Sequence, residues 1–315
     1  CITTLLSVAQ VQINTTGNFN DPLYLIDNVL IGNGVLTSNH SYIGDSSQIG
    51  FFKDPMGLIG IDSGFVLSTG GVDSIGNTGS DTLPWWDYIY DSAWNIIDST
   101  PALDTYFLST SLMGNSDPDL LTIANSVPGL IGQSFSVSSV NDIAILEFDF
   151  IPTSDSLSFK YAFGSQEYFM YENTQYNEVF GFYLSGPGIA GTWANGAVNL
   201  AIVPGTNPPL PITISSVNSV TPINQQYFVN NQSGLSIIAD ADGFTTVFTA
   251  EALVQCGATY HIKLAIADGS DGGLSSYVWL ESGSFYSPPL LIANDIGIDS
   301  NNLSIPCNSS VTLTA

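Results

Sequence analysis

Acidic side chains in glycine-rich turns are the residues of this sequence whose spacing best suits a chemical role. Asp268 and Asp271 lie in the segment 268–273, which reads DGSDGG, and Asp240 and Asp242 occupy a second acidic loop. Carboxylates that alternate in such loops can surround Ca²⁺ with oxygen ligands, and the glycines permit the necessary backbone turns. The twelve-residue EF-hand spacing is absent. The pattern therefore predicts either an irregular calcium site or an ordinary Asp/Gly turn.

Two glutamates beside aromatic residues form a second candidate. Glu167 and Glu178 lie on either side of an aromatic segment that contains Tyr168 and Tyr176. Two carboxyl groups about 5–10 Å apart can hydrolyse a glycosidic bond. Carboxylates in such places more commonly cap turns or bind a structural ion. We therefore include Glu167 and Glu178 among the predicted metal ligands, with polysaccharide hydrolysis as the alternative.

An aromatic cluster in the segment 81–94 is the predicted ligand-binding site. The cluster consists of Trp85, Trp86, Tyr88, Tyr90 and Trp94. Flat aromatic rings stack on sugar faces, and Tyr and Trp dominate the centres of protein interfaces. The alternative is that these rings form a small local core beneath a long insertion.

The charge balance excludes several classes of partner. The chain contains 28 acidic residues but only three lysines and no arginine, and its formal net charge is −25. Because phosphate recognition depends on Lys and Arg, nucleic acid and anionic membrane surfaces are excluded as partners. A divalent cation would relieve the repulsion between carboxylates, whereas the alternative is that surface acidity only maintains solubility. His40 and His261 lie far apart in the sequence, and no paired cysteine motif predicts zinc.

The first ten residues predict export from the cytoplasm. Residues 1–10, CITTLLSVAQ, resemble the end of a signal peptide with a small-residue cleavage site, and lipid attachment at Cys1 is the alternative. Cys256 and Cys307 are then the cysteines of the mature chain. They pair with each other or with partners elsewhere, as an oxidising compartment would permit. No later apolar run reaches the roughly 20 residues of a membrane span.

Alternating apolar and polar residues predict an all-β fold, an antiparallel β-sandwich or jelly-roll with short helices in its insertions. The predicted strands cover residues 29–31, 65–67, 145–150, 157–163, 179–184, 198–203, 212–217, 244–250, 260–266 and 277–281. Short helices are predicted at residues 94–97 and 103–112. The predicted domains are a signal-peptide remnant (1–10), one β domain (11–286), and a linker with the start of an Ig-like repeat (287–315).

Several segments in order along the chain resemble the choice-of-anchor L family. The similar segments are QIG (48–50), GFVLSTG (64–70), FGSQEY (163–168), YNEVFGFYLSGPG (176–188), VPGTN (203–207), DGFTTV (242–247), TYHIKLAIAD (259–268) and ESGSF (281–285). Together they cover about residues 30–286. The resemblance implies an exported bacterial surface protein with one of several C-terminal anchors, often exported by the type IX route and in some members linked to gliding adhesins.

The resemblance brings no catalytic residues, so we expect a protein that is not an enzyme. The predicted function is adhesion to an extracellular glycan or surface protein, with calcium as a stabilising ion and the export machinery as a further partner. The alternative is a subunit or cap of a surface filament, which self-associates. The chain departs from the family pattern at Gln166, where a second glutamate is usual, and at Ser275, where an aspartate is common. These departures imply a cation site that is weaker or built from other residues.

Overall fold

The computed structural model describes residues 11–72, 116–231 and 241–288, together with the backbone of two short strands at residues 89–90 and 96–98. The described strands are β1 (Gln12–Asn14), β2 (Val35–Ile43), β3 (Ile49–Lys53), β4 (Ser63–Ser68), β5 (Ile89–Tyr90), β6 (Ile96–Asp98), β7 (Val140–Pro152), β8 (Ser156–Ser165), β9 (Val179–Ser185), β10 (Val198–Asn199), β11 (Phe228–Asn230), β12 (Gly243–Thr245), β13 (Phe248–Leu253), β14 (Tyr260–Gly269) and β15 (Ser276–Glu281). The described helices are α1 (Pro22–Leu25), which continues into a π-helical turn over Ile26–Leu30, and α2 (Pro118–Leu130). Short 3-10 turns occupy Gly17–Asn20, Ser46–Gln48, Ala194–Gly196 and Gln225–Tyr227.

Two antiparallel sheets make up the described fold. Eight of the described strands form one sheet in the order β1-β3-β4-β15-β8-β12-β11, with β13 also paired to β8. Five others form the second sheet in the order β10-β9-β14-β7-β2, and β5 pairs with β6 separately. The inner faces of the two large sheets share one apolar core. This arrangement is a β-sandwich, which confirms the predicted all-β fold class.

The period-2 alternation of the sequence places aromatic residues between the sheets. On β7, Phe148 and Phe150 are fully buried, and on β8 the same is true of Phe159. Phe159 lies edge-on to Phe182 of β9, with ring centroids 5.1 Å apart, and packs on Phe285 at 5.3 Å. Rings offset or edge-to-face in this way contribute beyond the area they bury. The interior is therefore an aromatic layer to which both sheets contribute.

The outer face of the five-stranded sheet is polar over only part of its area. Glu147 and His261 lie on this face, as the alternation predicts, but towards one end α2 covers it. Leu120 and Ile123 of α2 are fully buried against an apolar group that includes Val179 and Ala267 of the sheet. Strand β9 is therefore buried on both faces, and its sequence VFGFYLS is accordingly almost free of polar residues.

Helix α2 was not predicted, although its first residues carry a recognisable signal. The side chain of Asp117 accepts a hydrogen bond of 2.9 Å from Leu120 N, and Pro118 occupies the first turn. The helix predicted at residues 94–97 is wrong, because Ile96–Asp98 is a strand paired with Ile89–Tyr90. The helix predicted at 103–112 lies outside the described residues.

Some predicted strands are replaced by turns that use side-chain hydrogen bonds. Residues 212–217 form a buried turn, in which Thr213 N donates to Ser216 Oγ (2.8 Å) and Ser216 N donates to Thr213 Oγ1 (3.2 Å). Such bonds satisfy the backbone without a neighbouring strand. Residues 29–31 mostly belong to the π-helical turn Ile26–Leu30. The strand predicted at 198–203 shortens to Val198–Asn199, and that at 244–250 is divided between β12 and β13.

The two ends of the chain remain matters of prediction. Residues 1–10 and 289–315 lie outside the described residues, so the signal-peptide remnant and the Ig-like repeat are not tested. Ser287 is still held by the sandwich, since its N–H donates to Asn33 O at 3.1 Å. Cys256 is disulfide-bonded, which fits the predicted oxidising compartment.

Candidate functional site

Buried carboxyl groups cluster at one end of the sandwich. On each of four strands, every second side chain points between the sheets, and an acidic residue continues this inward row at or just beyond the end of the strand. Glu178 lies two residues before Phe180 of β9, and Asp268 lies two residues after Ile266 of β14. Glu167 continues the inward row of β8 in the same way. Because side chains alternate across a strand, residues two apart share a face, and each acid points between the sheets. These acids are therefore an extension of the core.

Glu178 connects the two sheets and is fully buried. Its Oε1 accepts a hydrogen bond of 3.0 Å from Gly269 N of the five-stranded sheet, and its Oε2 accepts one of 3.2 Å from Ser276 Oγ of the eight-stranded sheet. A Cβ at position 269 would lie 2.7 Å from Asn177 O, so the close approach of the two strands here requires glycine.

Glu167 and Asp268 complete a group of three carboxyls, which we call the acid cluster. Both residues are 2% exposed. Hydrogen bonds link Glu167 to Glu178 and Glu178 to Asp268, and Asp268 also interacts with the Thr69 hydroxyl. Glu167 Oε2 and Asp268 Oδ1 are buried without a hydrogen-bond partner. An unsatisfied buried oxygen is costly, so these two atoms are candidate positions for a further polar contact.

Burial and mutual repulsion raise the pKa of all three acids. Desolvation, followed by the charge of Asp268, raises the pKa of Glu167 to about 9. Desolvation is also the main cause that raises the pKa of Glu178 and of Asp268, and each is raised further by a neighbouring acid. Each acid of the cluster therefore favours its protonated form more strongly than an exposed carboxyl group does.

One neighbour of the acid cluster was missed by the sequence analysis. Asp142 of β7 is 1% exposed and its charge contributes to the raised pKa of Asp268. It lies two residues before Ala144, so the inward row of β7 would have indicated it. Its backbone carbonyl accepts a hydrogen bond of 2.9 Å from the Gln48 side chain, which also donates to Thr69 O at 2.8 Å.

The other predicted metal ligands take different positions. Asp271 is exposed, and its Oδ1 accepts a hydrogen bond of 3.3 Å from Gly273 N, as in an ordinary turn. Its charge nevertheless contributes to raising the pKa of Glu167. The backbone of Asp242 adjoins the end of β8, with Asp242 N donating to Ser165 O at 3.0 Å. Asp240 lies outside the described residues.

The acid cluster does not have the geometry of a filled metal site or of a hydrolase. No three His, Cys, Asp or Glu side chains within the described residues converge as ligands of one metal ion. Glu167 and Glu178 hydrogen-bond to each other in the interior, so they leave no room for a sugar between them. The carboxyls can share protons, or they can rearrange around a cation that replaces those protons.

The two departures from the family pattern meet beside the acid cluster. Gln166 N donates to Ser275 O at 3.1 Å, and Ser275 N donates to Gln166 Oε1 at 2.6 Å. Both residues are buried. A neutral pair therefore occupies these positions, and neither residue adds charge to the acid cluster.

His261 lies on the exposed part of the five-stranded sheet between two carboxylates. Its Nε2 is 3.8 Å from Glu147 Oε1, and its Nδ1 is 2.8 Å from Asp149 Oδ1. Glu147 and Asp149 raise the pKa of His261, although burial opposes them. Asp149 is also held by Asn39 Nδ2 at 2.7 Å. This supports the hydrogen-bonded structural role expected of a histidine in the outer row of a strand.

This arrangement gives a pH-dependent contribution to stability. A raised folded-state pKa means that protonated His261 stabilises the fold below its unfolded pKa of about 6.5, and the contribution disappears as the pH rises through the folded value. We expect His261→Asn to lower the free energy of unfolding by at most about 1 kcal/mol at pH 5.5, because the pair is partly exposed. The difference should shrink by pH 9, as measured by urea unfolding. A difference that grows with pH would contradict this assignment.

The predicted aromatic ligand-binding cluster lies outside the part that the structure describes. Trp85, Trp86, Tyr88 and Trp94 are not described, and Tyr90 is described only as a backbone position in β5. The role of these residues therefore stays a prediction. Within the described residues, no helix is long and apolar enough to cross a membrane.

Comparison with known families assigns the chain to one family. The family model described as Choice-of-anchor L domain matches residues 12–286. No curated protein and no solved structure matches the chain. The match covers most of the chain, and the family consists of non-enzymatic domains of exported or cell-surface proteins. The chain therefore belongs to the Choice-of-anchor L domain family and is an all-β module of a surface-associated protein.

Proposed function

We propose that this chain is a non-catalytic adhesion module that binds an extracellular glycan or surface protein. The observation that carries the proposal is that the described residues close to positions 73 and 241, which flank the segments 73–115 and 232–240, lie at the same end of one sheet. Near the first, Thr69 N donates to Ser276 O at 3.0 Å; near the second, Asp242 N donates to Ser165 O at 3.0 Å. Ser276 and Ser165 are paired neighbours in one sheet. Binding residues commonly lie on the connections between strands at one end of a rigid sandwich.

Hydrolysis of a polysaccharide is disfavoured by the burial of the two candidate glutamates. Glu167 is 2% exposed and Glu178 is fully buried. A glycosidase needs both carboxyls at the surface of a cleft, on opposite sides of the bond that breaks. In the acid cluster the carboxyl groups of Glu167 and Glu178 contact each other in the interior.

Assembly into a filament through the edge strand β2 is also disfavoured. Asn39 has a positive φ of 53°, and the pairing register between β2 and β7 shifts between Ser38 and Ser41. Such a bulge twists an edge strand away from further pairing. The exposed side chains of Leu36 and Ile43 are the features of this strand that would favour association.

The adhesion proposal is tested by binding of the whole 315-residue chain to an array of defined glycans and to immobilised mucin. We expect saturable binding that falls at least tenfold when Trp85, Trp86 and Trp94 are replaced together by alanine. The matched control is Tyr286→Ala, which removes an exposed aromatic ring. Tyr286 pairs with Ser158, at the end of β8 opposite to Ser165. This control should bind as the wild type does.

Three results would overturn the proposal. The first is no saturable binding to any probe, and the second is equal loss of binding in the triple variant and the control. The third is that the wild type releases reducing sugar from the array polysaccharides and the Glu167→Gln variant does not. Light scattering of the same samples tests the filament alternative, which requires growth in mass with concentration.

A further inference from the structure

The charge of the acid cluster has no basic partner in this chain. The sequence contains three lysines, two histidines and no arginine. Lys263 binds Asp117 at 2.5 Å, Lys160 binds Glu281 at 3.1 Å, and Lys53 lies over the ring of Phe51 at 5.8 Å. His40 binds Asp27 at 3.1 Å and His261 binds Asp149. Every basic side chain therefore has a partner elsewhere, and the acid cluster must be neutralised by protons or by an ion from solution.

The acids come from both sheets, so a cation that binds them after their side chains rearrange would join the two sheets. Glu178 and Asp268 come from the five-stranded sheet, as does their neighbour Asp142, whereas Glu167 follows β8 of the eight-stranded sheet. The hydroxyl of Ser276 on that sheet lies 3.2 Å from Glu178 Oε2. Two buried oxygens, Glu167 Oε2 and Asp268 Oδ1, lack hydrogen bonds. Together these groups supply carboxylate and hydroxyl oxygens from both sides of the core.

We propose that the acid cluster, together with Asp142, is a Ca²⁺ site that clamps the two sheets at the end of the sandwich where β8 and β14 end. The donor set contains only oxygen atoms. Zinc prefers nitrogen and sulfur ligands, and Mg²⁺ keeps several of its waters, for which this interior has little room. Ca²⁺ accepts six to eight oxygens in irregular geometry. The inference does not depend on which ligand the module binds.

Loading of the site requires the carboxyls to exchange protons for the ion. In the structure the acids hydrogen-bond to one another, so binding of an ion requires their side chains to turn away from one another. Ca²⁺ binds deprotonated carboxylates, so uptake releases protons and weakens as the pH falls. The site also differs from the turn 268–273 that the sequence indicated, because Asp268 points inward while Asp271 is exposed.

The test is calcium binding by the whole chain after treatment with EDTA, followed by calorimetry in two buffers of different ionisation enthalpy. At pH 7.5 we expect one Ca²⁺ per chain, release of at least one proton per ion, and a rise in melting temperature with calcium concentration. Mg²⁺ at the same concentration should produce a smaller shift. Between pH 7.5 and pH 6 the calcium affinity should fall at least tenfold.

Matched variants distinguish the interior site from the exposed turn. Glu178→Gln keeps the size of the side chain and replaces the buried acid with a neutral amide, so the calcium-free protein should fold while its calcium affinity falls at least tenfold. Asp271→Asn should reduce the affinity by about threefold at most. If Glu178→Gln does not fold, Glu167→Gln provides the same test from the other sheet.

Two results would overturn the proposal. One is loss of calcium binding in Asp271→Asn but not in Glu178→Gln, which would place the ion in the turn. The other is no calcium binding by the wild type at pH 7.5. The acid cluster would then be neutralised by protons alone. Neither result depends on glycan or protein binding, so the adhesion proposal would stand or fall separately.

Discussion

Replacement of Lys263 by methionine is expected to lower the free energy of unfolding by about 3–5 kcal/mol, because it leaves two buried carboxylates without their cation. Lys263 Nζ lies 2.5 Å from Asp117 Oδ2, 3.4 Å from Asp119 Oδ2, and 5.0 Å from the ring centre of Tyr183. The lysine and aspartate side chains are between 9% and 13% exposed. This lysine therefore fixes the start of α2 to the outer face of β14.

The measurement is urea unfolding of the whole chain followed by circular dichroism. Lys160→Met is the matched control, since Lys160 forms a single ion pair of 3.1 Å with Glu281 and is 47% exposed. Exposed pairs of this kind contribute about 0–1 kcal/mol. Equal losses in the free energy of unfolding of the two variants would contradict the prediction. They would mean that the buried ion pairs of Lys263 stabilise the fold no more than the exposed pair of Lys160.

The second large effect is expected from Trp279→Ala, at about 3–5 kcal/mol, because it opens a cavity in a packed core. Trp279 is fully buried on the outer side of the eight-stranded sheet and stacks on Tyr277 with centroids 5.7 Å apart. Its ring covers Gly164, where a Cβ would lie 2.6 Å from Trp279 Cη2. The strand β8 carries glycine at this position because the indole occupies the space.

Urea unfolding also measures this prediction. Trp193→Ala is the matched control, because Trp193 is half-buried and contacts Tyr183 edge-on at 5.6 Å, so a loss of about 1 kcal/mol is expected. Gly164→Ala should destabilise the wild type but cost much less in the Trp279→Ala background, which has room for the added methyl group. Additive effects of the two substitutions would show that the ring does not exclude a side chain at position 164.

The aromatic core strands could be predicted from the sequence, but the turns between them could not. The rows of Phe148, Phe159 and Leu264 alternate with polar residues, and alternation by itself assigns such segments to strands with one buried face. In residues 212–217 the apolar content is similar. There Thr213 and Ser216 hydrogen-bond to the local backbone, so no neighbouring strand is needed. Sequence patterning alone does not distinguish these two ways of satisfying the backbone.

The sequence indicates Glu167, Glu178 and Asp268 as candidate metal ligands. It does not indicate that all three are buried between the sheets. The sequence places Asp268 in a glycine-rich turn, where an aspartate is ordinarily exposed. Tertiary structure decides otherwise, because β14 continues to Gly269 and pairs with β7 up to that residue, beyond the last pair with β9 at Ala267. Extending the inward rows by one more alternation would have indicated all three acids and Asp142.

Composition and alternation thus determined the all-β class, the acidic character and the inward rows of this protein, because these properties depend on residue type and on neighbours along one strand. Only the packing of two sheets decided which acids meet. Glu167 and Asp268 are 101 residues apart in sequence, and they come together because β8 and β14 end on the same side of a shared core. Burial removes these carboxyl groups from water and places them beside one another, which raises their pKa values. No isolated segment of the chain has this property.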